Sequence, residues 1–155
     1  MKIQEYFKGS ISESEILSKL LAAAAKITKS KRASILLYNG KMDELYIFKT
    51  MGWSKDEIKM LRGTKIQPGE GITGRVFLDG KPLIVNNIEK KTDFEPKDKY
   101  RSKSFVSVPI LTDEAIIGVI NLTEKESEIY SDKEMNILYF MINEISGRVK
   151  LPIGG

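Results

Sequence analysis

Two pairs of strand-like segments, each joined by a short polar connection, constrain the fold of this chain more than any other feature. Ala33–Tyr38 and Leu45–Met51 form the first pair, and Ser104–Leu111 and Ala115–Thr123 form the second. Each segment is either apolar throughout or alternates between apolar and polar residues, which is typical of strands. Connections this short predict antiparallel pairing, because parallel neighbours require a long crossover.

Three helices are predicted by one N-terminal signal, a serine followed three residues later by a glutamate. In such a capping box the serine oxygen accepts a hydrogen bond from a free backbone N–H, and the glutamate accepts one from the N–H of the serine. The signal occurs at Ser12, Ser54 and Ser131. Apolar residues at helical spacing then predict long helices over Ser12–Ser30 and Ser131–Val149, with a short helix after Ser54.

The order of these elements predicts an α+β fold. With shorter strand candidates at Thr64–Ile66 and Leu83–Val85, the chain runs helix, hairpin, helix, short strands, long loop, hairpin, helix. Terminal helices on one face of an antiparallel sheet would bury the apolar stripes of both layers. The polar stretch 86–103 contains Phe94 and Tyr100. Loops of this length are usually functional or disordered, and the two aromatic residues favour a lid.

Length and composition indicate one cytoplasmic domain. We assign residues 1–150 to this domain and residues 151–155 to a linker stub or tail. No apolar run approaches the ~20 residues of a membrane helix, and the start lacks the apolar core of a signal peptide. A net charge of +4 is small beside 25 basic and 21 acidic residues, so we do not expect a nucleic-acid partner. The high charge content also suits a thermophile.

The chain contains neither cysteine nor histidine. Disulfides, thiolate nucleophiles and cysteine-based metal sites are therefore excluded, and the commonest general base and metal ligand is missing. We expect no catalytic residue, no metal and no cofactor, and we rank an enzyme that uses carboxylates last. Glu124, Glu126 and Glu128 follow a strand, and we interpret them as a solvated turn.

The segment Gly69–Gly74 matches the glycine pattern of dinucleotide-binding and kinase loops. That mechanism needs a strand before the glycines and a full helix after them. Here Pro68 interrupts the approach, and Gly80 ends the following helix within two turns. We therefore interpret the glycines as a tight turn into a short helix, Ile72–Leu78, that packs on the sheet.

Several segments in order resemble the signature of GAF domains. Residues 68–77 and 80–85 are similar to the central GAF motif, residues 104–111 and 116–122 are similar to its last two long strands, and the likeness extends over 11–149. The resemblance implies a GAF/PAS-like, six-stranded antiparallel sheet with the N- and C-terminal helices on one face. Short helices and the lid loop would cover the ligand pocket on the other face. It also implies a sensory module of bacterial signal-transduction or transcription-activator type.

Departures from the family pattern limit the classes of ligand that this chain is expected to bind. The cyclic-nucleotide branch carries Asn-Lys, Phe and Asp-Glu motifs around the last strand and helix. This sequence has Glu124-Lys125, Tyr130 and Glu134-Met135 at the corresponding places. Only Lys125 keeps the pattern, and the other differences argue against a cyclic-nucleotide ligand. Without cysteine, covalent bilin attachment and the chemistry of the methionine-sulfoxide reductase branch are excluded.

Candidate ligand-binding residues come from the lid, the short helix and the last two strands. Strand alternation turns Asn121 towards the pocket, where its buried amide needs a partner from a ligand or from the lid backbone. The aromatic and guanidinium groups of the lid suit a planar or anionic ligand, although the aromatic residues could instead pin the loop. The candidates are Ile72, Arg75, Val76, Phe94, Tyr100, Arg101, Ser104, Val106 and Asn121.

The apolar stripe of the last helix is wider than one sheet contact requires. We therefore predict a homodimer formed through the helices Ser12–Ser30 and Ser131–Val149. The main hypothesis is a sensory domain that binds an unknown small molecule non-covalently and signals through these helices to an attached or partner effector, with no membrane contact. The alternative is a dimerisation or protein-interaction module without ligand, whose pocket is filled by side chains.

Overall fold

The computed structural model describes residues 7, 12–86, 104–113, 115–125, 127 and 129–149. The helices in these ranges are α1 (Glu13–Thr28), α2 (Lys55–Leu61), α3 (Gly71–Asp79) and α4 (Asp132–Ile145). The strands are β1 (Ser30–Asn39), β2 (Glu44–Met51), β3 (Lys65–Ile66), β4 (Leu83–Val85), β5 (Phe105–Leu111) and β6 (Ile116–Lys125). None of these helices combines the length and apolar character that a membrane crossing requires.

The strands form one sheet in the order β3-β2-β1-β6-β5-β4, and every pair is antiparallel. The two predicted hairpins are β1–β2 and β5–β6, and pairing of β1 with β6 joins them at the centre. The α+β prediction, with a six-stranded antiparallel sheet, is therefore confirmed.

The predicted capping signals begin three of the helices. Ser54 Oγ accepts a hydrogen bond from the N–H of Glu57 at 3.1 Å, and Glu57 Oε1 accepts one from the N–H of Ser54 at 2.9 Å. Ser131 and Glu134 form the same reciprocal pair. Ser12 Oγ accepts from the N–H of Glu15 at 3.1 Å. Local sequence thus sets where these helices start.

The main core lies between the sheet and the two terminal helices. Leucines of α1 and α4 pack against the inward side chains of β1, β5 and β6, and full burial of each such side chain contributes about 1.5–3 kcal/mol. Among the fully or almost fully buried members are Leu17, Leu20, Leu21, Ile35, Val108, Ile120, Leu122, Leu138 and Met141. Helices α2 and α3 pack on the opposite face of the sheet. The space between these two helices and the sheet is the candidate site.

The glycine-rich turn before α3 has a structural explanation. Gly69 has φ of +87°, and its N–H donates to the carbonyl oxygen of Gly74 at 2.8 Å. A Cβ on Gly74 would lie 2.4 Å from the carbonyl oxygen of Gln67. A side chain is therefore disfavoured at Gly69 by its left-handed backbone conformation and at Gly74 by the close approach of Gln67.

Candidate functional site

A small cavity lies between the sheet and helices α2 and α3. Its volume of about 40 Å³ leaves room for roughly three water molecules, at ~10–15 Å³ each on this measure. The polar side chains that line it are Arg32, Ser34, Thr50, Thr64, Thr73, Asn121 and Thr123. The apolar ones are mainly Leu36, Ile47, Trp53, Leu61, Ile66 and Phe105.

Strand register brings the polar residues of this site together. Ser34 on β1 is opposite Asn121 on β6, and Asn121 is opposite Ser107 on β5. Arg32 is likewise opposite Thr123. Because side chains alternate between faces, residues that are directly opposite one another share a face. Two rows of polar side chains therefore cross the centre of the sheet beneath α2 and α3.

Arg32 is the most constrained residue of the cavity. Its side chain is 6% exposed and forms ion pairs with Glu57, at 2.8 Å between Nη2 and Oε2, and with Glu124 through Nε. Its guanidinium lies 4.5 Å from the ring centre of Trp53. The N–H of Ser54 and, after it, the charge of Arg32 hold the pKa of Glu57 below its ordinary value. Glu57 thus stays ionised beside Arg32 at neutral pH.

Two buried donor atoms at the cavity lack partners within the described ranges. These atoms are Nη1 of Arg32 and Nε1 of Trp53. A buried N–H that has lost its hydrogen bond to water costs about 1–3 kcal/mol. On the same face, Ser107 is fully buried, and its Oγ also lacks a partner among the described residues. The site therefore retains hydrogen-bonding capacity that the described part of the chain does not use.

The structure brings Asn121 to the cavity, where its Nδ2 donates to Thr73 Oγ1 of α3 at 3.1 Å. A side chain of α3 is thus the observed partner. Ser104 lies at the start of β5, where its Oγ donates to the carbonyl oxygen of Asn86. Thr123 Oγ1 donates to the carbonyl oxygen of Ser104 at 3.2 Å. Ser104 therefore fixes the point where the chain re-enters the sheet.

The other candidates do not line this cavity. Val106 pairs with Leu122 and belongs to the core beneath the terminal helices, because alternation turns it away from the face of Phe105 and Ser107. Ile72 packs with Val85 and Phe105. Val76 is buried on α3 and Arg75 is exposed there. The lid residues Phe94, Tyr100 and Arg101 lie outside the described residues.

Sequence reasoning missed Arg32, Trp53 and Glu124. The alternation of Arg32 and Ser34 with apolar residues was an available signal, but the predicted strand began one residue after Arg32. The interpretation of Glu124 as part of a solvated turn is wrong, because its side chain is paired with Arg32 and only 20% exposed. Glu124 also has φ of +57°, a conformation that is unfavourable for a residue with a side chain.

A second polar cluster lies where β6 meets both terminal helices. Lys125 Nζ donates to the carbonyl oxygen of Thr28 and to Glu134 Oε2, both at 2.6 Å. Tyr130 Oη is 2.9 Å from Ser30 Oγ, which is 2.7 Å from Thr28 Oγ1. Burial raises the pKa of Tyr130 to about 12. Lys125, Tyr130 and Glu134 lie at positions compared above with the cyclic-nucleotide pattern, of which Lys125 alone matches it. Here they connect β6 to the ends of α1 and α4.

Within the described ranges, no group of three or more metal-ligating side chains is placed to hold a metal ion.

A family model described as a GAF domain matches residues 10–146. The chain is similar to the nitrogen fixation protein AnfA of Azotobacter vinelandii, with 27% identity over 77% of this chain and 23% of that protein. It is also similar to the Nif-specific regulatory protein of Herbaspirillum seropedicae, with 27% identity over 97% of this chain and 28% of that protein. The chain thus spans about a quarter of the length of these relatives.

Solved structures share the fold at low identity. The GAF domain of a phosphoenolpyruvate-protein phosphotransferase from Acinetobacter aligns with a TM-score of 0.77 and 19% identity, covering 93% of this chain and 86% of that one. Free methionine-R-sulfoxide reductase from Neisseria meningitidis aligns with a TM-score of 0.65 and 18% identity, covering 92% and 82%. The expectation that this chain is not an enzyme is corrected by the second likeness, because the same fold occurs in an enzyme.

Proposed function

The chain belongs to the GAF domain family, as its motifs predicted, and we propose that it is a sensory domain that binds a small molecule non-covalently in the cavity beneath α2 and α3. The observation that carries this proposal is the set of polar side chains within the largely apolar lining of that cavity. Ser34, Asn121 and Arg32 turn hydrogen-bonding groups towards a space that strand residues of a sealed core would fill with apolar side chains. A few polar groups in a largely apolar pocket are what holds and orients a ligand, and the volume of about 40 Å³ limits this ligand to a small one.

The relatives support a regulatory role within a longer protein. One is named a nitrogen fixation protein, and the other is named a Nif-specific regulatory protein. We propose that residues 1–150 form the sensory unit and that residues 151–155 lead towards an attached or partner effector. Occupancy of the cavity would then be passed on through α1 and α4, which pack on the other face of the sheet.

A thermal-shift screen with a cavity-filling variant tests this proposal. A ligand at ~100-fold excess over its Kd adds ~2.7 kcal/mol to the free energy of unfolding, which corresponds to about 5–10 °C in Tm for a domain of this size. Ser34→Val fills part of the cavity and should abolish the shift. Lys31→Thr, an exposed position on the same strand, should preserve it.

The screen would cover nucleotides, amino acids, oxoacids, small amides and inorganic anions. Sensing by this cavity is contradicted if no compound raises the Tm of the wild type, or if Ser34→Val responds as the wild type does.

A dimerisation module without ligand is the second candidate. It is favoured by the small cavity, since sites for drug-sized ligands measure about 300–1,000 Å³, and by Phe140 on α4, which is 44% exposed. We propose that α1 and α4 form the dimer contact in either case. Light scattering should report a dimer for the wild type and a monomer for Phe140→Ser, with Lys133→Ser as the control on the same helix. A wild-type monomer at high concentration would contradict the dimer.

A further inference from the structure

We propose that the cavity recognises a small uncharged molecule through a carbonyl-type oxygen, which accepts hydrogen bonds from Nη1 of Arg32 and Nε1 of Trp53. This inference rests on the proposed sensory function and specifies the chemistry of its ligand.

The two donor atoms belong to neighbouring residues of the cavity lining. Arg32 and Trp53 both line it, and the guanidinium stacks 4.5 Å from the ring centre of Trp53. Both nitrogens are buried and have no hydrogen-bond partner within the described part of the chain. Buried donors are rarely left unpaired in folded proteins. One acceptor atom placed at the edge of this stacked pair would satisfy both.

The chemistry of the two side chains fixes what the ligand must present. A guanidinium group and an indole N–H are hydrogen-bond donors and have no acceptor lone pair to offer. The ligand atom that meets them must therefore be an acceptor, and an oxygen with two lone pairs can receive one bond from each. Carbonyl oxygens of amides, ureas and ketones have this property.

The charge around Arg32 argues for an uncharged ligand. Its positive charge is already matched by two carboxylates, those of Glu57 and Glu124. An anion at the same place would be attracted by one positive charge and repelled by two negative ones at a slightly greater distance. A carbonyl oxygen gains the two hydrogen bonds without this repulsion.

The size and remaining lining of the cavity fit a fragment of a few heavy atoms. A volume of about 40 Å³ admits an amide or a urea group, whose N–H groups could donate to hydroxyl oxygens. The hydroxyl groups of Ser34, Thr50 and Thr64 line the same space. The lining therefore includes donors for the oxygen of such a group and acceptors for its N–H groups.

Acetamide and acetate provide a matched test, because they have nearly the same shape and differ in charge. Trp53 is the single tryptophan of the chain, so its indole N–H gives one unambiguous resonance in a ¹H–¹⁵N spectrum. We expect acetamide to shift this resonance saturably and acetate, at equal ionic strength, to leave it unchanged. Trp53→Phe keeps an aromatic ring and removes the donor, and it should weaken acetamide binding about tenfold, as followed by the amides of Ser34 and Asn121.

Arg32→Lys keeps the charge but removes Nη1 and should weaken binding to a similar extent, whereas Lys31→Thr should bind as the wild type does. Tighter binding of acetate than acetamide, no saturable shift with either, or equal acetamide binding by Trp53→Phe would each overturn the inference. The sensory proposal would survive these results if another compound raised the Tm of the wild type but not of Ser34→Val, so the two failures are distinguishable.

Discussion

Lys125 places one ammonium nitrogen against two other elements of the fold. Nζ donates at 2.6 Å both to the carbonyl oxygen of Thr28, at the end of α1, and to Glu134 in the first turn of α4. The Lys125 side chain is 5% exposed and that of Glu134 is 19% exposed. Removing one partner of such a pair leaves the other charge and a carbonyl oxygen without their hydrogen bonds.

We therefore expect Lys125→Met to lower the free energy of unfolding by roughly 2–3 kcal/mol, less than the 3–5 kcal/mol of a fully buried pair because Glu134 still reaches water. Urea denaturation monitored by circular dichroism measures this change. Lys133→Met, at an exposed position on α4, serves as the control and should change stability by under about 0.5 kcal/mol. Equal stability of the two variants would contradict the role given to Lys125.

The pKa of Glu134 predicts how the stability of the fold depends on pH. Burial alone would raise the pKa of Glu134, but hydrogen bonds from Lys125 and from Ser131 outweigh it and lower the pKa below the reference value of 4.5. A carboxyl group with a lowered folded-state pKa stabilises the fold above its unfolded pKa, and this stability is lost as the pH falls through the folded pKa. We expect the urea midpoint of the wild type to fall from about pH 4.5 downwards.

Glu134→Gln should show a flatter profile over the same range, because it has no proton to take up there. Asp79→Asn removes an exposed carboxylate on α3 and should retain the slope of the wild type. Parallel profiles for the wild type and Glu134→Gln would show that the Glu134 carboxyl group does not cause the loss of stability at low pH.

At the residue scale, the sequence predicts which face of β6 meets the cavity but not which side chains complete the site. Alternation correctly turns Asn121 towards the cavity. Its partner Thr73 and the pair Arg32–Trp53 come from elements that are distant in sequence. Such contacts depend on how helices pack over the sheet, and no local pattern encodes that packing.

At the element scale, Gly118 shows how closely the two central strands approach. A Cβ at this position would lie 2.1 Å from the carbonyl oxygen of Leu36 on β1. The atoms nearest to this Cβ position all belong to the neighbouring strand β1. The backbone of β1 cannot move away without loss of its pairing with β6.

We expect Gly118→Ala to destabilise the domain by about 3 kcal/mol or more, the range of severe overpacking. Thermal unfolding monitored by circular dichroism would reveal this as a lower Tm or as failure to fold. Gly40→Ala is a matched control, since its Cβ would lie 3.6 Å from the ring of Tyr38, an ordinary contact distance. A Gly118→Ala protein as stable as Gly40→Ala would contradict the close approach.

Helix starts are better predicted than helix ends in this chain. Serine caps specify the starts because the capping bonds form within three residues. The first helix was predicted to reach Ser30, but it ends at Thr28, and Lys29 takes a left-handed conformation with φ of 55°. Glycine or asparagine usually marks such an end, and a lysine gives no signal. β1 therefore begins earlier than predicted, which is why Arg32 was missed.

At the scale of the whole molecule, two consecutive residues connect the two faces of the sheet. Glu124 binds Arg32 at the cavity, and Lys125 binds α1 and α4 on the opposite face. Glu124 has a left-handed backbone conformation between its own contact and that of Lys125. A ligand that changes the pairing of Arg32 would thus act on the residue next to the one that secures both helices.

This arrangement predicts that ligand binding changes the helix ends through Lys125. The compound that gives the largest Tm rise in the screen should slow amide hydrogen exchange in the last turn of α1 and the first turn of α4 of the wild type. In Lys125→Met, the same compound should still bind with similar affinity, because Lys125 is outside the cavity lining, but exchange at these helix ends should no longer respond. Coupling of this kind requires an element that both sites influence. Lys125 is part of that element, so its substitution should abolish the coupling.

The comparison is made under conditions where both proteins are folded, with Lys133→Met as the control that should respond as the wild type does. If Lys125→Met shows the same ligand-dependent protection at both helix ends, the signal reaches them by another route through the sheet. If it loses affinity for the compound in proportion to its lost stability, Lys125 supports the cavity itself. If Lys125→Met still binds the compound but amide exchange at its helix ends does not respond, Glu124 and Lys125 are identified as the connection between the ligand and the helices.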